Sequence, residues 1–146
     1  MAKYDVTHKC GHKREVQQFG KETDRTRKRE WMATQLCPNC QKDKDLEDAR
    51  VFAFEQHLPA FVSGSEAQQN WAQRIRHTFL VDAMSYIDRE KPDEMTKTYF
   101  NKALELVRTQ QDSRWWIDKK DSFGSSVVLE KAREMYLKDD AAKGQS

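Results

Sequence analysis

Cys10-Gly11-His12 and, twenty-four residues later, Cys37-Pro38-Asn39-Cys40 hold all three cysteines of the chain. Three thiols and one imidazole are the ligand set of a tetrahedral structural zinc site. The two-residue gap of Cys37-Pro-Asn-Cys40 lets both thiolates reach one ion while nearby amides hydrogen-bond the sulfurs. CxxC alone is a weak signal, and CxH is less usual than CxxC as the opposing half. Together they account for every cysteine, with a helix-length spacer between them. Free buried cysteines acting as small hydrophobes are the plainer alternative. The turn at Gly11 favours His12 as fourth ligand; His8, which shares a strand face with Cys10, is its rival. Four protein ligands close the coordination sphere, so Zn²⁺ here is expected to be structural and not catalytic.

The elements needed to bring these ligands together are legible nearby. Tyr4, Val6 and His8 alternate on one face of a strand, and residues 13–19 read as its partner, so Cys10 and His12 fall at a β-hairpin tip. Residues 22–36 read as a helix capped by Thr23 or Asp24, with Trp31, Met32 and Leu36 on its apolar side. The helix also carries Arg25, Arg27, Lys28 and Arg29, a cluster suited to phosphates. A solvated helix face, offset by Glu22, Asp24 and Glu30, is the equal alternative.

Beyond the knuckle, helical periodicity runs through Leu46, Ala49, Phe52, Ala53 and Leu58 up to Pro59. Ser65-Glu66-Ala67-Gln68 is a capping box opening the longest helix, roughly 65 to 88, with Trp71, Ile75, Phe79, Ala83 and Ile87 in register. After Pro92, Met95, Tyr99, Ala103, Leu106 and Val107 mark a further helix. Trp115-Trp116-Ile117-Asp118 reads as a short aromatic turn. Val128, Leu129, Ala132, Met135 and Tyr136 mark the last helix.

The expected fold is therefore mostly α with a small N-terminal zinc-binding hairpin and helix, an α+β class with about four helices in the body. The expected division is a zinc module over residues 1–45, a helical domain over 46–141 and a frayed tail over 142–146. Trp71, Arg76, Trp115 and Trp116 are a candidate interaction surface, with Arg74 or Arg76 able to pair with Asp118. Aromatics at helical spacing more often pack into a core, which is the favoured reading.

The chain carries 26 Lys and Arg against 24 Asp and Glu, too even a balance to argue for a nucleic-acid binder by itself. Residues 1–45, however, hold a net +4 and the remainder a net −2. No run has the apolar length of a membrane span and the start lacks a signal peptide's apolar core, so a cytoplasmic protein is expected. In a reducing compartment, clustered cysteines serve metals more often than disulfides. No glycine-rich phosphate cradle, nucleophile elbow, open metal site or carboxylate pair at catalytic spacing is present, which argues against an enzyme. His57 and His77 have no Cys, Asp or Glu at metal-ligand spacing.

Three segments carry a resemblance. They are the Cys-Gly-His with Cys-Pro-x-Cys module, the run from Leu58-Pro59 through Gly64-Ser65-Glu66-x-x-Gln69-x-Trp71-Ala72-x-x-Ile75-Arg76, and Trp115-Trp116-Ile117-Asp118. Together they resemble an uncharacterised group of small zinc-ribbon-like proteins carried by bacterial phages, plasmids and conjugative elements. The resemblance implies a zinc-bearing accessory protein of a mobile element and no particular activity. A binding module touching nucleic acid, or a factor that blocks or adapts a host protein, are the two functions to be separated.

Overall fold

The computed structural model describes residues 2–144. In chain order the elements are β1 (Ala2–Thr7), β2 (Lys13–Gln18), α1 (Glu22–Ala33), α2 (Pro38–Glu55), α3 (Glu66–Glu90), α4 (Glu94–Arg108), α5 (Ser113–Asp118) and α6 (Gly124–Lys143). The class is mostly helical α+β, with 68% helix and one antiparallel hairpin, as the sequence implies. The helix number differs: six form among the described residues, α1 in the module and five after it, where about four were expected for the body. The Trp115-Trp116 turn closes into α5, and the cysteine knuckle is itself the start of a helix. Pro38 explains the second difference. At the first helical position its missing N–H costs nothing and its fixed φ suits the helix. The last helix runs to Lys143, and Gln145 and Ser146 of the expected tail lie outside the described residues.

The chain divides into two compact units, one ending at Glu47 and the other beginning at Asp48. In the first, β1 and β2 pair with Tyr4 opposite Val16 and Val6 opposite Arg14. The turn is closed by Gly11 N–H to His8 O at 2.8 Å, with Gly11 at φ 87°, a left-handed conformation that a side chain would strain. Val6, His8, Val16 and Gln18 are buried on one face. The helix α1 starts at Lys21 without a side-chain cap, not at Thr23 or Asp24, and it buries none of its residues. It is held by its partners instead. His8 is buried and its Nδ1 lies 3.0 Å from Met32 O and 3.2 Å from Gln35 O, donating its proton to carbonyls at and just after the end of α1.

The second unit centres on α3, whose Ala72, Phe79, Leu80 and Ala83 are buried with Phe100, Ala103, Trp116, Val128 and Ala132. Here α4 packs on α6, and α3 on both α5 and α6. The capping box forms, Ser65 Oγ accepting from Gln68 N–H while Gln68 reaches back to Ser65 N–H. Phe79 meets Trp116 edge-on at 5.2 Å between centroids, and the Trp116 indole N–H donates to Gln110 O at 3.1 Å. These contacts satisfy both the apolar body and the polar edge of a wholly buried tryptophan.

The last helix has no cap of its own: Phe123 makes no side-chain capping bond. Asp82, on α3, supplies one from 43 residues away, its Oδ2 accepting from Ser125 N–H at 2.9 Å and Ser125 Oγ–H at 2.8 Å. The Ser125 backbone N–H, then its hydroxyl and Arg89, hold the Asp82 carboxyl below its ordinary range. Asp82→Ala is expected to cost about 1–2 kcal/mol at neutral pH. A carboxyl whose folded-state pKa is depressed adds stability above its unfolded pKa and loses it as pH falls through the folded value. The gap between wild type and Asp82→Ala should therefore narrow below about pH 4, which urea titrations at pH 7 and pH 3 would measure.

Candidate metal centre

The ligand atoms of Cys10, His12, Cys37 and Cys40 all lie within 4.8 Å of one another. The hairpin tip brings the first two, and the junction of α1 with α2 brings the others. His12 Nδ1 stands 3.3 Å from Cys10 Sγ, 3.5 Å from Cys37 Sγ and 3.3 Å from Cys40 Sγ. A tetrahedral ion with bonds of about 2.3 Å to sulfur and 2.0 Å to nitrogen has S···N edges of about 3.5 Å. One nitrogen equidistant from three sulfurs fits such an edge set better than three separate hydrogen bonds, since a neutral ring nitrogen donates only one proton. The residues present therefore suit a metal ion with a Cys₃His shell, His12 binding through Nδ1.

His8 is not part of it. Its Nδ1 is occupied by the carbonyls of Met32 and Gln35, so its place is to pin α1 against the hairpin. The neighbouring Lys9 N–H adds a bond to Gln35 O at 3.0 Å. Cys37 carries a second duty that its spacing did not reveal. As the residue before α2 it accepts the Cys40 N–H on its sulfur at 3.5 Å, which is an N-cap bond, and Cys10 Sγ accepts the Cys37 N–H at 3.5 Å. A thiolate at a helix N-terminus is favoured by the dipole as well. Pro38 directly after a cysteine was the sequence signal for this cap.

Left to themselves, the thiols of Cys10 and Cys40 ionise unequally. The backbone N–H groups of Cys37 and His12 draw Cys10 down to about 6. The hydrogen bond to Cys37 and burial push Cys40 up to about 12. Bonding to Cys10 and Cys37 raises the His12 imidazole, favouring its charged form. Crowded sulfurs thus share few negative charges unless a cation lies among them. A coordinating divalent ion deprotonates all three outright.

The basic helix does not present its four cations as one surface. Arg25 and Arg29 turn towards the hairpin and stack on Tyr4, their guanidinium carbons 5.9 Å and 3.7 Å from the ring centroid. Arg27 and Lys28 are exposed on the other side. Trp31 joins them: expected on the apolar side, it is 60% exposed. It follows Arg27 by four residues and Lys28 by three, which puts the three on one side of the helix.

In the helical unit, two residues of the candidate interaction surface are interior. Trp116 is 0% and Arg76 1% exposed, and neither can meet a partner. Arg76 donates to Pro59 O at 2.8 Å and Gln73 Oε1 at 2.7 Å, its guanidinium 4.3 Å from the Phe61 ring. It clamps the 59–64 loop to α3 instead of pairing with Asp118, which is exposed. Burial lowers Arg76 to about 10, still charged at neutral pH. Trp115 is half-buried, with Lys119 over its ring at 5.4 Å, and Trp71 is 38% exposed, with Lys120 over its ring at 5.2 Å.

No helix among the described residues is long and apolar enough to cross a membrane. No protein-family model, curated protein or solved structure matches the chain.

Proposed function

We propose that this chain is a non-catalytic binding module. A structural Zn²⁺ on Cys10, His12, Cys37 and Cys40 holds hairpin to helix, and the outer face of α1 contacts nucleic acid. What supports the reading is Trp31, an exposed indole on the same side of α1 as Arg27 and Lys28, in a segment of net +4 charge. Cations grip phosphates while a ring stacks on an unpaired base, the combination by which single strands are held without strict sequence choice. The proposed setting is cytoplasmic, in keeping with thiolate ligands, and an accessory role in a mobile element follows from the resemblance of the motifs.

The zinc-loaded chain should bind a short single-stranded oligonucleotide with affinity that falls steeply with salt. Changing both Arg27 and Lys28 to Ala should flatten the log–log salt slope by about 1.4, at roughly 0.7 per phosphate contact on a single strand. Trp31→Ala should cost about 1–3 kcal/mol of affinity. Absence of binding at low ionic strength would remove this reading. A host protein as partner is the second reading, favoured by Phe54, 84% exposed one turn after the half-exposed Val51 on α2.

A further inference from the structure

Two arginines of α1 converge on one tyrosine. Among the described residues, neither Arg25 nor Arg29 has a carboxylate within salt-bridge distance. The Nε–H of each is buried and lacks an acceptor. Arg29 uses one Nη on Thr26 Oγ1 at 3.1 Å; the pair is otherwise held by the Tyr4 ring. Stacking fixes the planes of the guanidinium groups and leaves their hydrogen bonds unmade.

A second observation comes from the hairpin. Tyr4 lies opposite Val16, which makes Gln18 its diagonal neighbour on the same face, within reach of long side chains. Gln18 is 4% exposed, and neither its Oε1 nor its Nε2 has a partner. A primary amide buried without bonds is costly, and so are two buried Nε–H donors. The register thus puts an unpartnered primary amide on the same face as the ring that carries two unpartnered guanidinium Nε–H groups. Paired arginines with N–H donors unused are the chemistry that takes a tetrahedral oxyanion, which accepts from several donors at once and neutralises both charges.

We infer that Tyr4, Gln18, Arg25 and Arg29 form a binding site for a phosphate group, on the hairpin side of α1 and separate from the Arg27–Trp31 face. The phosphate can be free or a nucleic-acid phosphodiester. In the second case the site rests on the proposed function and deepens it, fixing the backbone while Trp31 meets a base.

The test is a titration of the zinc-loaded full-length chain, followed by ¹⁵N NMR of the arginine Nε–H and glutamine amide groups. One arm adds inorganic phosphate and the other a short oligothymidylate. The Arg25 and Arg29 Nε–H and Gln18 side-chain signals should shift saturably in at least one arm. Arg29→Lys, which keeps the charge but loses the fork, should weaken phosphate binding roughly tenfold. Gln18→Met keeps the length and removes the unbonded amide, so a purely structural Gln18 predicts unchanged affinity. The site predicts a loss. Signals that stay still with both probes overturn the site, as does full affinity in Arg29→Lys. If phosphate moves nothing and the oligonucleotide moves only Trp31, Arg27 and Lys28, the site falls and the proposed function stands. If phosphate moves the three side chains and the oligonucleotide moves neither them nor Trp31, the site stands and the nucleic-acid reading falls.

Discussion

Stripping the metal with a strong chelator should unfold the chain up to Glu47 and leave the helical unit folded. Among its described apolar residues the first unit buries only Val6, Val16 and Cys37, and α1 buries nothing. Some forty residues with so small a core fold only with external help. A structural zinc ion supplies apparent binding energy of about 10–16 kcal/mol, far more than those few side chains provide. Among the ligand substitutions, Cys37→Ala should be the most damaging. It deletes a ligand and the α2 cap that accepts the Cys40 N–H. Acid should mimic the chelator, because each thiolate that takes up a proton leaves the ion. Amide NMR checks this directly. Hairpin and α1 signals should collapse on chelation and return with zinc, while the Trp116 indole signal stays. A hairpin that keeps its dispersion without metal would contradict the assignment of the site.

Gly124→Ala should be the most destabilising single-atom change in the helical unit. A Cβ at that position would lie 1.9 Å from the Phe79 carbonyl oxygen and 2.8 Å from its carbon. Both are backbone atoms inside α3, so no rotamer change can relieve the overlap, and α6 would have to move bodily off the core. A cost of about 3 kcal/mol or more follows, at the upper end of overpacking effects. Gly144→Ala is the matching control. Its nearest neighbours would stand at 3.7 Å, and its stability should stay within about 0.5 kcal/mol of wild type. Guanidinium unfolding curves of the two variants make the comparison; equal midpoints would mean that α6 does not cross α3 this closely.

What could be read from the chain without coordinates was whatever is decided locally or by scarce chemistry. The cysteines and His12 stood out because few side chains bind metal and their spacing left few alternatives. The capping box at Ser65 and Gln68 is a four-residue event, so four residues disclose it. Hydrogen bonds across long separations leave no such trace. Nothing near His8 announces that it will meet carbonyls of Met32 and Gln35, and nothing near Asp82 announces Ser125. Arg76 illustrates the same limit. An acid was the natural partner to look for, whereas the structure gives it a carbonyl, an amide and a ring. Trp31 was misplaced for a different reason. Periodicity assigned it to an apolar side, but the inward side of α1 is taken by Arg25 and Arg29, whose guanidinium groups lie over the Tyr4 ring.

The carboxylate that Asp82 lends to Ser125 also bears on the order of assembly. A segment that starts without its own terminating acceptor is a poor nucleus by itself, since the first turn fixes several residues for a single bond. Residues 124–143 should thus remain largely coil until the long helix before them has formed and offered that oxygen. Substitutions along the closing segment should then mainly hasten unfolding, whereas those in the long helix should slow refolding.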